Sequence, residues 1–378
     1  MAEDILSRRQ FLKTGYRLGI FLGGLPFIFT HHSFAASKYN PEELHEARYY
    51  RQLNGNKVQC QMCFRRCIVS EGRKGFCRNK VNLKGKYYSL VYGKPCSLQI
   101  DPIEKEPSFH MLPSICIFCT ATASCNNRCK FCHNWHISQR NVEETINYEL
   151  TPQQVVDMAK ENKCEAMSFT YSEPTVFYEY MFDIAKLAQE SGLRVLYHTN
   201  GSINSEPLFA LLKYMDAVTV DLKAFTEKFY REVSSSKLEP VLKTLKNIKK
   251  SGVHLEIVNL VIPTLNDDAD DIRRMCVWIR ENIGVKTPLH FNRFYPTYLL
   301  ARLPQTPIKT VEKARKIALE EGLKYVYIGN TPGHKYNSTF CPKCDKRLIH
   351  RTHFAVLENN VREGKCKFCG EEIPGVWK

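Results

Sequence analysis

Between residues 112 and 330 the chain repeats one unit, a short apolar strand followed by an amphipathic helix. This alternation restricts it to an α/β fold with a parallel sheet and right-handed crossovers. Strands are expected at 114–120, 166–170, 193–198, 217–221, 254–262, 288–291 and 325–328. The intervening helices carry start signals. Thr151 stands as N-cap before Pro152, with Gln154 at the capping-box position, and Thr306-Pro307 is expected to open the last helix in the same way. The expected architecture is an open or partial parallel (β/α) barrel, a fold in which function collects at the C-terminal strand ends. Those ends carry a cysteine loop after the first strand and Tyr171-Ser172-Glu173-Pro174 after the second. Thr199-Asn200-Gly201 follows the third, and Asp221-Leu222-Lys223 the fourth. Asn259 with Pro263-Thr264 closes the fifth, and His290, Asn292 and Arg293 the sixth. Each alone reads equally well as a helix cap, a turn or a surface ion pair. Their recurrence at successive strand ends favours function.

The cysteine loop is the sharpest motif. Cys125, Cys129 and Cys132 stand at C-x3-C-x2-C spacing, which 16 cysteines in 378 residues would produce by chance only about 0.03 times. Three thiolates can hold three corners of a 4Fe-4S cubane and leave one iron open to bind another molecule. Five C-x2-C pairs occur against about 0.7 expected, which in an enzyme-sized chain reads as metal ligation rather than a disulfide framework. Cys60, Cys63, Cys67 and Cys77 form a compact module that suits zinc or a second iron-sulfur cluster. Cys341, Cys344, Cys366 and Cys369 flank the alternating segment 348–356 and read as a zinc ribbon, with a rubredoxin-like iron or disulfides as alternatives. Cys116 and Cys119 lie in a strand, where residues three apart face opposite ways, so they are expected to be core thiols with Cys96, Cys164 and Cys276.

Four segments follow. Residues 1–36 carry Ser7-Arg8-Arg9-Gln10-Phe11-Leu12-Lys13, a short apolar stretch and Ala35-Ala36, a twin-arginine-type signal. It implies an exported or membrane-associated protein, or a cytoplasmic one with an uncleaved leader. Residues 37–111 are expected to hold a short helix over 41–53 and the first cysteine module, 112–330 the core, and 331–378 the ribbon. The formal charge of +15 comes from scattered lysines and arginines, and metal-bound thiolates would lower it. No nucleic-acid partner is expected.

The motifs Cys129-Lys130-Phe131-Cys132-His133-Asn134-Trp135-His136-Ile137-Ser138, Phe169-Thr170-Tyr171-Ser172-Glu173-Pro174, Thr199-Asn200-Gly201 and Asp221-Leu222-Lys223 stand in this order. The chain thereby resembles the radical S-adenosylmethionine (radical SAM) superfamily, in its pyruvate formate-lyase-activating-enzyme-like branch. Ser89-Leu90-Val91-Tyr92-Gly93, Asp101-Pro102-Ile103-Glu104-Lys105-Glu106-Pro107 and Tyr325-Val326-Tyr327-Ile328-Gly329-Asn330 bring the resemblance closest to the AmmeMemoRadiSam-system enzyme. The resemblance covers about residues 41–378. It implies that Cys125, Cys129 and Cys132 hold the cluster and that Phe131 lies against the adenine. It further implies that Glu173 receives the methionine amino group, and that Asn200, Asp221 and Lys223 line the nucleoside and carboxylate end. Asn259 is taken as a further cofactor contact. Two departures stand out: Tyr171 and Ser172 replace the glycines of the superfamily's Gly-Gly-Glu, and His198 stands where glycyl-radical activases carry Asp.

The implied activity is reductive cleavage of S-adenosylmethionine to a 5'-deoxyadenosyl radical, which abstracts hydrogen from a small-molecule or protein substrate. A low-potential electron donor is an implied partner, and Memo-like proteins are another. The catalytic residues and the substrate are not legible. Two other readings are a glycyl-radical activase, which needs a partner protein, and a non-enzymatic zinc-ribbon protein binding nucleic acid.

Overall fold

Each crossover helix buries one apolar stripe on the sheet and returns the chain to the same end, so successive strands run parallel. A computed structural model describes residues 39–378. Its central sheet holds β1 (Ser97–Pro102), β2 (Cys116–Ala121), β3 (Ala166–Phe169), β4 (Arg194–Thr199), β5 (Ala217–Asp221), β6 (His254–Val261), β7 (Leu289–Arg293) and β8 (Val326–Gly329). The strands lie in sequence order, and β2 to β8 are parallel. Strand β1 was not anticipated; it pairs antiparallel with β2. The sheet stays open, with edges at β1 and β8.

Six helices make the crossovers: α1 (Pro152–Glu161), α2 (Tyr178–Glu190), α3 (Ser205–Leu212), α4 (Leu238–Ser251), α5 (Ala269–Asn282) and α6 (Ile308–Glu320). At α1 the anticipated capping box forms, with Gln154 N–H donating to Thr151 Oγ1 at 3.3 Å and Thr151 N–H to Gln154 Oε1 at 2.8 Å. The start of α6 departs from expectation. Pro307 caps it without a side-chain bond, while Thr306 Oγ1 donates to Val261 O and accepts from Phe294 N–H at 3.2 Å. Thr306 therefore ties the ends of β6 and β7 together instead of capping a helix. Helix α4 ends at Gly252, whose φ of 82° is the left-handed value that glycine reaches at least cost.

The segment between β1 and β2 fills the inner face of the sheet. Met111 and Ile103 pack with Ile117, Leu196 and Ala217, and the Phe109 ring lies 4.8 Å from His290 and 4.9 Å from Tyr327. Glu256 on β6 holds the segment in place. Fully buried, it accepts from Phe109 N–H at 3.0 Å, from His110 N–H at 2.7 Å and from His290 at 2.7 Å. Donors on every side keep its charge tolerable and its pKa well below the usual carboxylate range, against the upward push of burial.

Residues 41–53 do not form the expected helix. Pro41–Glu43 is a single 3-10 turn, after which His45–Glu46 pairs with residues 88 and 89, and Tyr50–Leu53 pairs with Lys57–Cys60. Beyond β8, strands Thr339–Phe340, Arg347–Thr352 and Ala355–Asn359 form a small antiparallel sheet beside the hairpin Val361–Arg362 and Lys365–Cys366. Residues 39–378 make one compact unit. Among them no helix is long and apolar enough to cross a membrane. The signal segment of residues 1–36 lies outside the described residues.

Candidate functional site

At the C-terminal ends of the parallel strands lies a cavity of about 300 Å³. The loop after β2 brings Cys125, Cys129, Phe131 and Cys132 to its wall; β3 contributes Tyr171 and Glu173, β4 His198 and Asn200, and β5 Asp221 and Lys223. The loop is pinned from behind. Arg128 and Lys130 N–H groups donate to the carbonyls of Ser234 and Val233, both at 2.9 Å, and the Arg128 side chain donates to Cys125 O at 2.6 Å. Its sulfurs meet donors: Asn127 N–H lies 3.3 Å from Cys125 Sγ, and Ser138 Oγ lies 3.1 Å from Cys132 Sγ. Burial pushes the Cys129 thiol up to about 11, although Lys223 opposes the shift. Buried thiols of this kind ionise when a bound metal supplies positive charge. Three such thiols around one cavity fit an iron-sulfur cluster that keeps an iron for another ligand.

Opposite the thiols runs a line of alternating charge. Glu106 Oε2 lies 3.2 Å from His198 Nδ1, Asp221 Oδ1 3.5 Å from His198 Nε2, and Lys223 Nζ 2.9 Å from Asp221 Oδ2. Burial disfavours the His198 imidazolium, but the Asp221 and Glu106 carboxylates outweigh it and raise its pKa to about 10. By the same contacts Asp221 is held well below the usual carboxylate range, and Lys223 above the usual lysine range, each against its burial. A pH dependence follows, because the folded-state value of His198 is raised. Its contribution to stability is complete below about pH 6.5 and is lost as pH rises towards about 10. The stability gap between wild type and His198→Gln should narrow over that interval, as measured by urea unfolding. A gap that stays constant would mean a neutral ring.

Glu173 is 2% exposed and anchors strand ends as well as facing the cavity. Its Oε1 accepts from Thr175 N–H at 3.1 Å and Thr199 Oγ1 at 2.8 Å, and its Oε2 from Asn200 N–H at 2.8 Å. An ionised carboxylate has about four acceptor positions, so Oε2 keeps one for a further donor. Asn200 Nδ2 in turn lies 3.7 Å from Cys125 Sγ and donates to Asn126 Oδ1 at 2.8 Å. Phe131 packs 5.9 Å from the Phe229 ring, with Lys223 Nζ 5.5 Å from its own ring centre.

Asn259 is a correction. Val258 and Leu260 face the cavity, so strand alternation turns Asn259 outward, where its Nδ2 donates to Leu222 O at 2.8 Å. Cys119 is buried as expected, whereas Cys116 is exposed. Cys119 also joins Asp101 and Glu106 in a buried group, its thiol donating to Glu106 Oε1 at 3.3 Å. Sequence reasoning missed Glu106, Lys105 and Ser138 at the site. Lys105 and Glu106 belong to the quoted Asp101–Pro107 tract and Ser138 to the Cys129–Ser138 tract, which were the available signals.

The cysteine quartets differ in geometry. No disulfide joins any of the sixteen cysteines. In the C-terminal quartet, Cys341 Sγ lies 3.6 Å from Cys369 Sγ and Cys344 Sγ 3.8 Å from Cys366 Sγ, with all four within 4.8 Å of one another. One tetrahedral ion with metal–sulfur bonds of about 2.3 Å sets its sulfurs about 3.8 Å apart, so the quartet fits a single ion. Cys60, Cys63, Cys67 and Cys77 open onto a separate buried pocket.

Residues 119–276 match the Radical SAM superfamily, from within β2 to within α5. The uncharacterized protein MJ0808 of Methanocaldococcus jannaschii is 46% identical over 332 residues, which span 87% of this chain and 99% of that protein. The pyruvate formate-lyase-activating enzyme of Clostridium pasteurianum is 25% identical over 213 residues, spanning 53% of this chain and 87% of the enzyme. The chain therefore belongs to the radical SAM superfamily, whose members are enzymes that cleave S-adenosylmethionine at an iron-sulfur cluster.

Proposed function

We propose that this chain cleaves S-adenosylmethionine reductively and directs the resulting 5'-deoxyadenosyl radical at a substrate bound beside the same cavity. The observation that carries this reading is the shared wall: three cluster-loop thiols, Glu173, Asn200, Asp221 and Lys223 around one cavity. A 4Fe-4S cluster on Cys125, Cys129 and Cys132 would supply the electron. The protein's own work is aim and exclusion. Glu173 Oε2 offers an acceptor to the methionine ammonium, Lys223 a cation to its carboxylate, and Phe131 an apolar wall to the adenine. Enclosure keeps water from the radical.

The pyruvate formate-lyase-activating relative favours a second reading, activation of a glycyl-radical enzyme, whereas the motifs quoted above favour the AmmeMemoRadiSam system with Memo-like partners. The C-terminal quartet is assigned to zinc, and a low-potential donor to electron supply. The twin-arginine-type leader favours export or membrane association, with a cytoplasmic chain that keeps its leader as the alternative.

Glu173→Gln tests the site. It keeps the shape and removes the charge, so S-adenosylmethionine affinity should fall by about tenfold or more, equivalent to about 1.4 kcal/mol. Stability should also fall, by about 1 to 3 kcal/mol, because an amide cannot accept from Thr175, Thr199 and Asn200 together. Calorimetry and equilibrium binding on the one variant separate the effects. A stability loss with unchanged affinity would reduce Glu173 to an anchor of strand ends.

A further inference from the structure

The N-terminal thiols are built against the cluster loop. Their pocket is also lined by Asn126, the residue after Cys125. Ser124 Oγ donates to Cys77 O at 2.5 Å, Arg65 Nε to Asn126 O at 2.8 Å, and Arg128 Nη2 to Phe76 O at 2.7 Å. Both guanidiniums stack on the Phe76 ring, at 3.5 and 4.3 Å from its centre. The two arginines thus lie between the two groups of thiols, tied to the carbonyls of Asn126, Cys125 and Phe76. On the far side, buried Lys80 reaches Cys60 and Cys77 while paired with Glu179 at 2.6 Å.

We propose that Cys60, Cys63, Cys67 and Cys77 hold a second, redox-active iron centre that relays single electrons to the cluster on Cys125, Cys129 and Cys132. The proposal rests on the S-adenosylmethionine-cleaving reading and adds the electron's route. A zinc site keeps one charge and requires nothing from a neighbouring cluster. A centre that gains and loses an electron is stabilised by cations lying between the two ends of the transfer, where Arg65 and Arg128 sit.

The spacing of the thiols bears on the ion. Among the described residues, the C-terminal quartet is the one all-cysteine group with every sulfur within 4.8 Å of the others. The N-terminal sulfurs are set wider than one tetrahedral ion needs. The free space among them is about 20 Å³, however, so a cluster enters only as the thiols turn outward. The wide set of sulfurs therefore suits a multi-iron centre rather than a single ion. The relay itself balances simply. A low-potential one-electron donor reduces the N-terminal centre, which reduces the second cluster by one electron, and no bond or proton moves.

The test uses the full chain, reconstituted anaerobically, in three forms. In Cys125→Ala/Cys129→Ala/Cys132→Ala, about four irons per chain should remain with a reducible paramagnetic signal. Zinc in their place would overturn the proposal. In Cys60→Ala/Cys67→Ala, release of 5'-deoxyadenosine driven by titanium(III) citrate should stay within about twofold of wild type, whereas release driven by reduced flavodoxin should fall by about tenfold or more. Equal rates with flavodoxin would also overturn it. Arg65→Gln keeps all seven thiols should the double variant fail to fold. It should shift the midpoint potentials of both centres, and a shift confined to one would count against the relay. Wild type that holds reducible N-terminal iron yet cleaves no S-adenosylmethionine would instead defeat the reading beneath it.

Discussion

Replacement of Cys125, Cys129 and Cys132 by alanine should lower 5'-deoxyadenosine release by about a thousandfold or more, a loss of at least about 4 kcal/mol of barrier reduction. The three thiols are the soft donors in the cavity wall that suit an iron-sulfur cluster, while Glu173, Asn200, Asp221 and Lys223 are placed to orient what binds beside it. The variant should stay folded. Its thiols are held by backbone contacts of Arg128 and Lys130 to residues 233 and 234, which alanine preserves. Melting temperature should therefore change little while S-adenosylmethionine-dependent chemistry disappears. An unchanged rate of 5'-deoxyadenosine release, measured by chromatography after anaerobic reduction, would sink the assignment.

Cys366→Ser/Cys369→Ser should release one equivalent of zinc and cost on the order of 5 kcal/mol, a part of the ~10–16 kcal/mol that closed thiolate sites contribute in small modules. The C-terminal segment packs Leu348, Ile349, Val361 and Ile373 against Phe109, Tyr325 and Tyr327, with Cys341 and Cys366 built into the same cluster. The damage should spread. Arg351 from this segment is fully buried; its Nη2 donates to Phe109 O at 2.6 Å and its Nε lies 3.5 Å from Glu104. Lys105 and Pro107, next along the same segment, line the site cavity. Loosening the module leaves a buried guanidinium and carboxylate poorly paired, so affinity for S-adenosylmethionine should fall together with stability. Metal analysis with calorimetry checks the first claim and equilibrium binding the second. A reduced, metal-free variant with an unchanged melting temperature would contradict both.

The elements read correctly were those whose signal is local. The antiparallel edge strand β1 was missed, whereas strand β5 at 217–221 was legible to the residue and the other parallel strands to within one or two. Each is a short apolar run followed by a helix with its own start signals. The segment 41–53 failed because Pro41-Glu42-Glu43 imitates a helix start. Its first strand pairs His45 with distant Ser89, which no local pattern reveals, while Tyr50–Leu53 turns back on Lys57–Cys60 across Asn54-Gly55-Asn56, a hairpin signal that the helix reading passed over. Asn259 failed through parity, since one residue along a strand exchanges cavity for core.

The sequence by itself determined the parallel order of the sheet, the loop that carries the cysteine triplet and the strand ends that face it. These follow from spacing and periodicity within a few residues. Only the tertiary structure decided which charges act together. Glu106 and His198 are 92 positions apart and meet because the segment after β1 folds onto the inner face of the sheet. Arg65 reaches Asn126 across 61 positions, and Arg351 reaches Phe109 across 242. Such pairings carry no period and no motif. They exist because a buried charge is stable only where another part of the chain supplies its counter-charge or its hydrogen bonds.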